Sequence, residues 1–221
     1  KPDPDRYEHK FEFCDILIVG SGPSGLASSL SAAKNGAKVI LAEDKPRFGG
    51  SLLTDDVTIG NKKGKEWVDE TIAQLKSMPN VIVKNRSQVF GYYDHNMMVM
   101  SERTKDHIEK PSKFIPRQRL WYIRAKEVII STGSIERPLV FGNNDRPGVM
   151  LSSAAKEYIK VYGVLVGKKP IIFTNNDSGY DTAIEFKKNG VDPLIVDVRK
   201  NSESSIVKEA KNLNINIKFS H

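Results

Sequence analysis

The chain carries a single cysteine, Cys14, in 221 residues. One thiol can form no internal disulfide, no Cys-x-x-Cys redox couple and no paired thiolates for zinc, so those chemistries drop out and a reducing, cytoplasmic compartment fits best. Histidine is scarce too: His9, His95, His107 and His221 show no metal-ligand spacing and read as surface residues. No G-x-S-x-G elbow is present, which removes one route to a nucleophilic serine. No run approaches the ~18 uninterrupted apolar residues of a membrane span, so no membrane insertion is expected. The opening Lys1-Pro-Asp-Pro-Asp-Arg-Tyr-Glu-His9 lacks an initiator Met, an apolar stretch and a small-residue cleavage site, and reads as a cut into a longer chain, not a signal peptide.

Thirty-nine per cent hydrophobic and 28% charged residues, with 16 Gly and 11 Pro, describe a globular chain, and its length favours two lobes over one. The net charge of +7 is spread among 34 basic and 27 acidic residues. Lys62, Lys63, Lys65, Lys168, Lys169, Lys187 and Lys188 alternate with no aromatics that could stack bases, so they read as solvated turns and helix faces, and nucleic-acid binding is not expected.

Residues 1–14 are polar with interspersed aromatics and are expected as an arm lying over the domain, with Cys14 half-buried at its end. Asp15-Ile-Leu-Ile-Val19 is a β-branched run of buried-strand type. A helix over 24–35 with Gly36 as its stop and a strand over 37–43 complete a right-handed βαβ unit. Helical spacing over 66–77, a third strand at 81–83, a meander of short strands at 88–93, 96–102 and 118–124, and a separate buried strand at 127–132 follow. Trp67, Trp121 and Tyr122 are expected in the core. The domain expected over 15–138 gives way to a crossover with a helix at 139–167 and a second, truncated lobe at 168–221, with strands at 170–173, 193–197 and 215–219.

The chemistry lies in Gly20-Ser-Gly-Pro-Ser-Gly25, a G-x-G-x-x-G run that follows a strand and opens a helix. Gly20 makes the tight turn, Gly22 lets the backbone approach a pyrophosphate, and Gly25 lets helix and strand pack closely, while the helix N-terminus offers N–H groups and positive potential. Glu43, placed beyond that helix at the end of the next strand, suits an adenosine ribose and favours NAD or FAD over NADP. Lys45 and Arg47 blunt that preference. Gly49-Gly50-Ser51 allows close backbone approach to a ligand. Where a second fingerprint would stand, Thr174-Asn-Asn-Asp-Ser-Gly-Tyr180 keeps only Gly179, so that lobe is expected to hold its fold without a ligand.

With the strand end Val128-Ile-Ile-Ser-Thr-Gly133 and the intervening meander, these elements resemble the two-dinucleotide-binding-domain flavoproteins. That resemblance implies an α/β, Rossmann-like FAD/NAD(P)-binding fold of glutathione-reductase type, plus an incomplete second Rossmann-like lobe. Asp3-Pro-Asp-Arg-Tyr-Glu-His9, Arg119-Leu-Trp121, Phe141-Gly-Asn-Asn-Asp-Arg-Pro-Gly-Val-Met150 and Phe173-Thr-Asn-Asn-Asp-Ser178 narrow it. The sequence is similar to the alpha subunits of heterotetrameric sarcosine oxidase. The resemblance implies an NAD-holding alpha subunit beside beta, gamma and delta subunits, with FAD and sarcosine oxidation on beta and FMN at the alpha–beta interface. Carried residue by residue, it places Gly20, Gly22, Pro23, Ser24 and Gly25 at pyrophosphate, Glu43 with neighbouring Asp44 at ribose, Gly50 and Ser51 in the adjoining loop, Thr132 and Gly133 on the closing strand, and Val89 at adenine through its backbone. It assigns no catalytic residue to this stretch. A self-contained FAD/NAD(P)-dependent reductase and a scaffold with an empty pocket stay open as alternatives.

Overall fold

A computed structural model describes residues 3–220, so Lys1, Pro2 and the expected surface residue His221 lie outside the described residues. The chain forms two compact units, Lys1–Gly133 and Ser134–His221.

The first unit runs β1 (Tyr7–Val19), α1 (Pro23–Lys34), β2 (Val39–Ala42), a 3-10 turn at Gly50–Leu53, a hairpin of β3 (Thr58–Ile59) and β4 (Lys62–Lys63), α2 (Gly64–Ser77), β5 (Val81–Lys84), β6 (Ser87–Tyr93), β7 (Met97–Arg103) and β8 (Gln118–Ile130). Its main sheet has the order β5-β2-β1-β8-β7-β6, with β5, β2, β1 and β8 parallel and β7 and β6 antiparallel. The residues of β2, Val-Ile-Leu-Ala, are all buried, as a central parallel strand requires. Leu26 and Ala33 of α1 and Val68, Ile72 and Leu75 of α2 cover one face over Ile18, Val39 and Leu41. Pro23 sits in the first turn of α1, where its missing N–H costs nothing, and Gly36 at φ +84° ends the turn that follows.

Several expectations are corrected here. Residues 7–14 are no arm: they are the first half of β1, paired from Tyr7↔Gln118 to Cys14↔Ala125. Likewise 118–124 and 127–132 are not two strands, because β8 is continuous across them. Asp15 and Lys126 drop out of the ladder together, and pairing resumes at Ile16↔Glu127. Lys126 Nζ reaches Asp15 Oδ1 at 2.8 Å, and Lys38 N donates to Asp15 Oδ2 at 2.7 Å, so the skipped residue is held by its own side chain. The skip shifts the alternation, and Cys14 and Leu17 enter the same cluster with Trp121, Met98, Met100 and Ile123. Cys14 is therefore fully buried, not half-buried, and burial pushes its thiol up to about 12. Trp121 is core as expected. Tyr122 and Trp67 are only partly buried, Tyr122 stacking on Phe11, which is 76% exposed.

The second unit holds α3 (Ser152–Tyr162), β9 (Ile171–Thr174), α4 (Ser178–Lys188), β10 (Leu194–Asp197), α5 (Ser205–Asn212) and β11 (Asn216–Phe219), with a parallel sheet of order β11-β10-β9. Tyr180, Ile184, Phe186, Ile195, Val207 and Ala210 fill its core. The division falls at Gly133/Ser134, ahead of the boundary expected after 138, and α3 packs on α4 in this unit: Thr182 Oγ1 donates to Ser152 O at 3.1 Å and Lys160 pairs with Glu185 at 3.4 Å. No helix among the described residues is long and apolar enough to cross a membrane.

Candidate functional site

The C-terminal ends of β1, β2 and β8 meet the start of α1 around residues 20–25. Gly20 adopts φ +99°, donates its N–H to Ala42 O at 2.8 Å, and leaves no room for a side chain: a Cβ there would stand 2.4 Å from Ser131 O and 3.2 Å from Thr132 Cα. At Gly25 a Cβ would meet Gly20 O at 1.9 Å, so this glycine lets α1 lie directly on the turn. Gly22 is of another kind. Its φ of −67° suits any residue, and a Cβ on it would meet no atom within 4 Å, so its open side faces space rather than protein. No side chain caps α1 and no acidic residue stands in its first turn, which leaves the positive end of the helix uncompensated beside Gly22, with Pro23 and Ser24 exposed.

Glu43 follows β2 and is only 7% exposed. Its Oε2 accepts from Ser21 N at 2.9 Å and from Ser21 Oγ at 2.5 Å, and its Oε1 accepts from Lys45 N at 2.9 Å. Burial raises the Glu43 pKa, the neighbouring Asp44 carboxyl adds to the rise, and the Ser21 and Lys45 donors oppose it. The main chain of Glu43 is tied as well, its N–H to Lys84 O and its carbonyl to Ser87 N, each at 2.8 Å. Asp44 is exposed, and its carbonyl accepts from Arg103 Nη2 at 2.8 Å.

Ser21 is the residue that sequence reasoning passed over. Fully buried, it holds Glu43 through two donors and also receives Gly49 N, at 3.1 Å on its carbonyl and 3.2 Å on its hydroxyl. It thus fastens three segments: the glycine turn, the end of β2 and the Gly49-Gly50 loop. The available signal was a hydroxyl in the turn opposite an acid at the end of the next strand. Gly49 at φ +123° and Gly50 at φ +54° bring that loop close enough that a Cβ on Gly50 would lie 2.9 Å from Gly22 Cα.

The structure therefore gathers Gly20, Gly22, Pro23, Ser24, Gly25, Glu43, Gly50 and Thr132, with Gly133 (φ +69°), Ser51 and Asp44 as exposed neighbours in the chain. Val89 is half-buried opposite Met100 in the β6–β7 ladder, just beyond Ser87, and its side chain packs toward the sheet core. Lys45 and Arg47 lie on the exposed turn after Glu43.

A strand, a glycine turn, a helix and an acid-tipped second strand in a parallel-rich sheet define the class: a Rossmann-like FAD/NAD(P)-binding oxidoreductase fold. A family model described as FAD dependent oxidoreductase matches residues 15–110. The chain is 47% identical over 198 residues to sarcosine oxidase subunit alpha of Rhizobium meliloti (strain 1021), covering 89% of this chain and 20% of that protein. It is 38% identical over 199 residues to the same subunit of Corynebacterium sp. (strain P-1), covering 89% and 21%. The solved L-proline dehydrogenase from P. horikoshii shares the fold at a TM-score of 0.70 and 24% identity, over 90% of this chain and 38% of that one. These matches bear out the resemblance carried by the motifs: the chain is related to the sarcosine oxidase alpha subunits and spans about a fifth of the length of those relatives.

Proposed function

We propose that the first unit binds the ADP half of a dinucleotide, and that the dinucleotide is NAD. The observation that carries this is the open side of Gly22 next to the uncapped start of α1. Pyrophosphate would lie against Gly22, Pro23, Ser24 and Gly25, with Gly50 and Ser51 on one flank and Thr132 and Gly133 on the other. Glu43, already oriented by Ser21, would accept a ribose hydroxyl; its charge repels a 2′-phosphate, which selects NAD over NADP. Bound NAD would supply a hydride acceptor, while the residues of this chain bind and orient it. FAD shares the ADP half, and the FAD dependent description of the family model over 15–110 favours it as a second reading.

Within a larger assembly, the unit would be the nucleotide-holding part of an alpha subunit, with sarcosine oxidised on a beta subunit and gamma and delta subunits completing the complex. By itself the chain would form no peroxide from sarcosine, because no substrate base or flavin attachment is assigned in it. Calorimetric titration with NAD and NADP tests the site: NAD binding tighter than NADP is expected, and equal or tighter NADP binding overturns the role given to Glu43. A yellow chromophore released as FAD on denaturation would transfer the assignment to the second reading.

A further inference from the structure

The second unit repeats the spacing of the first at several positions, with its helix start and strand end offset by one residue. Counting back from Gly179 as the counterpart of Gly25, Thr174 stands at the place of Gly20 and Asn176 at that of Gly22; counting forward, Asp197 is as far from Gly179 as Glu43 is from Gly25. Each acid is at the tip of the second strand of its unit, and each accepts the N–H of the next residue but one, Lys45 N to Glu43 at 2.9 Å and Arg199 N to Asp197 at 2.9 Å. Gly179 keeps the packing role, since a Cβ on it would meet Thr174 Cβ at 2.8 Å and Ile172 Cγ2 at 3.1 Å. The counterparts of the turn glycine Gly20 and of the open-sided Gly22 are both replaced, by Thr174 and Asn176.

The partners of the acid include a residue just past the same strand end. Asp197 is fully buried, and its carboxylate accepts from Tyr180 Oη at 2.7 Å, Arg199 Nη2 at 2.8 Å and Arg199 Nε at 3.0 and 3.1 Å. The same guanidinium then spans to the loop, where Nη1 donates to Asp177 Oδ1 at 2.8 Å. One N–H at the start of α4 is also satisfied within the loop, Ser178 N donating to Asn176 Oδ1 at 2.9 Å, while the Asp177 carboxylate at the N-cap position caps no N–H and bonds Arg199 instead. In the first unit the acid is held by a small hydroxyl and the helix start is left open; here an arginine bridges acid and loop.

We infer that Arg199 is the built-in occupant of the second nucleotide fold, bridging the acid of the ribose position to the loop of the phosphate position, so that this unit is a closed copy and takes no dinucleotide. The inference stands independently of which nucleotide the first unit binds. The clasp ends on a buried carboxylate at one side and on a half-exposed one at the other, so the loop side, Asp177, is the place to open it without stranding a buried charge.

Hydrogen exchange of the whole chain, read by mass spectrometry with and without millimolar NAD and ADP, tests it. Neither ligand should slow exchange at 174–180 or 197–200, whatever happens at 20–26. Protection at 174–180 by either ligand, or a second bound equivalent by calorimetry, overturns the inference. Protection at neither loop would sink the proposed function and leave the closed copy standing. Asp177→Ala should speed exchange of the 175–178 amides about tenfold, the loss of one charge-assisted bond, with Asp177→Asn between the two. Unchanged exchange in Asp177→Ala would show that the arginine does not hold the loop, and the clasp would be refuted.

Discussion

Gly22 and Gly25 belong to one motif, yet their surroundings predict opposite outcomes for the same substitution to alanine. At Gly25 the new Cβ would start 1.9 Å from Gly20 O, a backbone atom in a turn that is pinned to Ala42 O. Helix and turn must separate by about 1 Å to relieve this, which opens the packing of Leu26 and Ala33 on Ile18 and Leu41. Overpacking of this kind costs roughly 1–3 kcal/mol, or several degrees of Tm for a chain of this size. At Gly22 the Cβ meets nothing and φ is already −67°, so Gly22→Ala should change stability by less than about 1 kcal/mol, in the stabilising direction, because alanine restricts the unfolded chain. Its cost should appear in binding. A methyl on the open side of Gly22 would hold the pyrophosphate off the helix start and raise the NAD Kd about 10- to 100-fold, equivalent to ~1.4–2.7 kcal/mol. Thermal melts and calorimetric titration of both variants separate the effects. If Gly22→Ala bound NAD as the parent does, the ligand would not lie on that side of the loop; if Gly25→Ala melted with the parent, the helix would not rest on the turn as described.

Further consequences follow from the same contacts. Ser21→Ala removes the hydroxyl bonds to Glu43 and Gly49 N and should cost ~1–2 kcal/mol in a melt while narrowing the preference for NAD over NADP; an unchanged preference would mean that Glu43 is positioned without Ser21. The raised pKa of Glu43, due first to burial and then to Asp44, makes NAD affinity fall as pH drops through that pKa, because the acceptor becomes protonated; Glu43→Gln should flatten the pH dependence of the Kd, and a parent Kd that is flat with pH would refute it. For Glu102, burial alone would raise the pKa, but Lys84 Nζ at 2.9 Å, Trp121 Nε1 at 2.7 Å and Arg119 Nη1 at 3.1 Å hold it below the ordinary value. Its stabilisation is therefore present above the unfolded pKa of about 4.3 and lost as pH falls through the folded one; Glu102→Gln should cost ~1–3 kcal/mol at pH 7, with the difference from the parent shrinking in acid.

The βαβ core of the first unit was legible because each of its signals is local: an apolar run, a turn that needs glycine, a glycine stop after the helix, and an acid at a fixed distance. The long pairing of β1 with β8 was not. Along residues 7–13 the aromatics Tyr7, Phe11 and Phe13 face solvent at 46–76% exposure, while Lys10 lies over the Trp121 ring at 4.2 Å, so the alternation is inverted relative to a strand that hides its apolar side. In β8 the charged pair Lys126-Glu127 looks like the end of one strand and the start of another; only the partner strand shows that Lys126 and Asp15 leave the ladder together and pair with each other. A break that requires two segments from opposite ends of the unit to skip in step has no local signal.

The candidate site divides along the same line. Spacing singled out Glu43 and the glycines, and the same interval counted from Gly179 also reaches Asp197, whose side-chain partners are different. A count of residues reports that a strand, a helix and a second strand have a certain length; it does not report which group satisfies the acid at the end. In the first unit that group is Ser21, too small to reach past Glu43, and the side of Gly22 stays open. In the second it is Arg199, long enough to touch the acid and the loop at once. Whether a copy of this fold is open or closed therefore turns on which side chain holds the acid, and a glycine fingerprint acquires its meaning only when that partner is known.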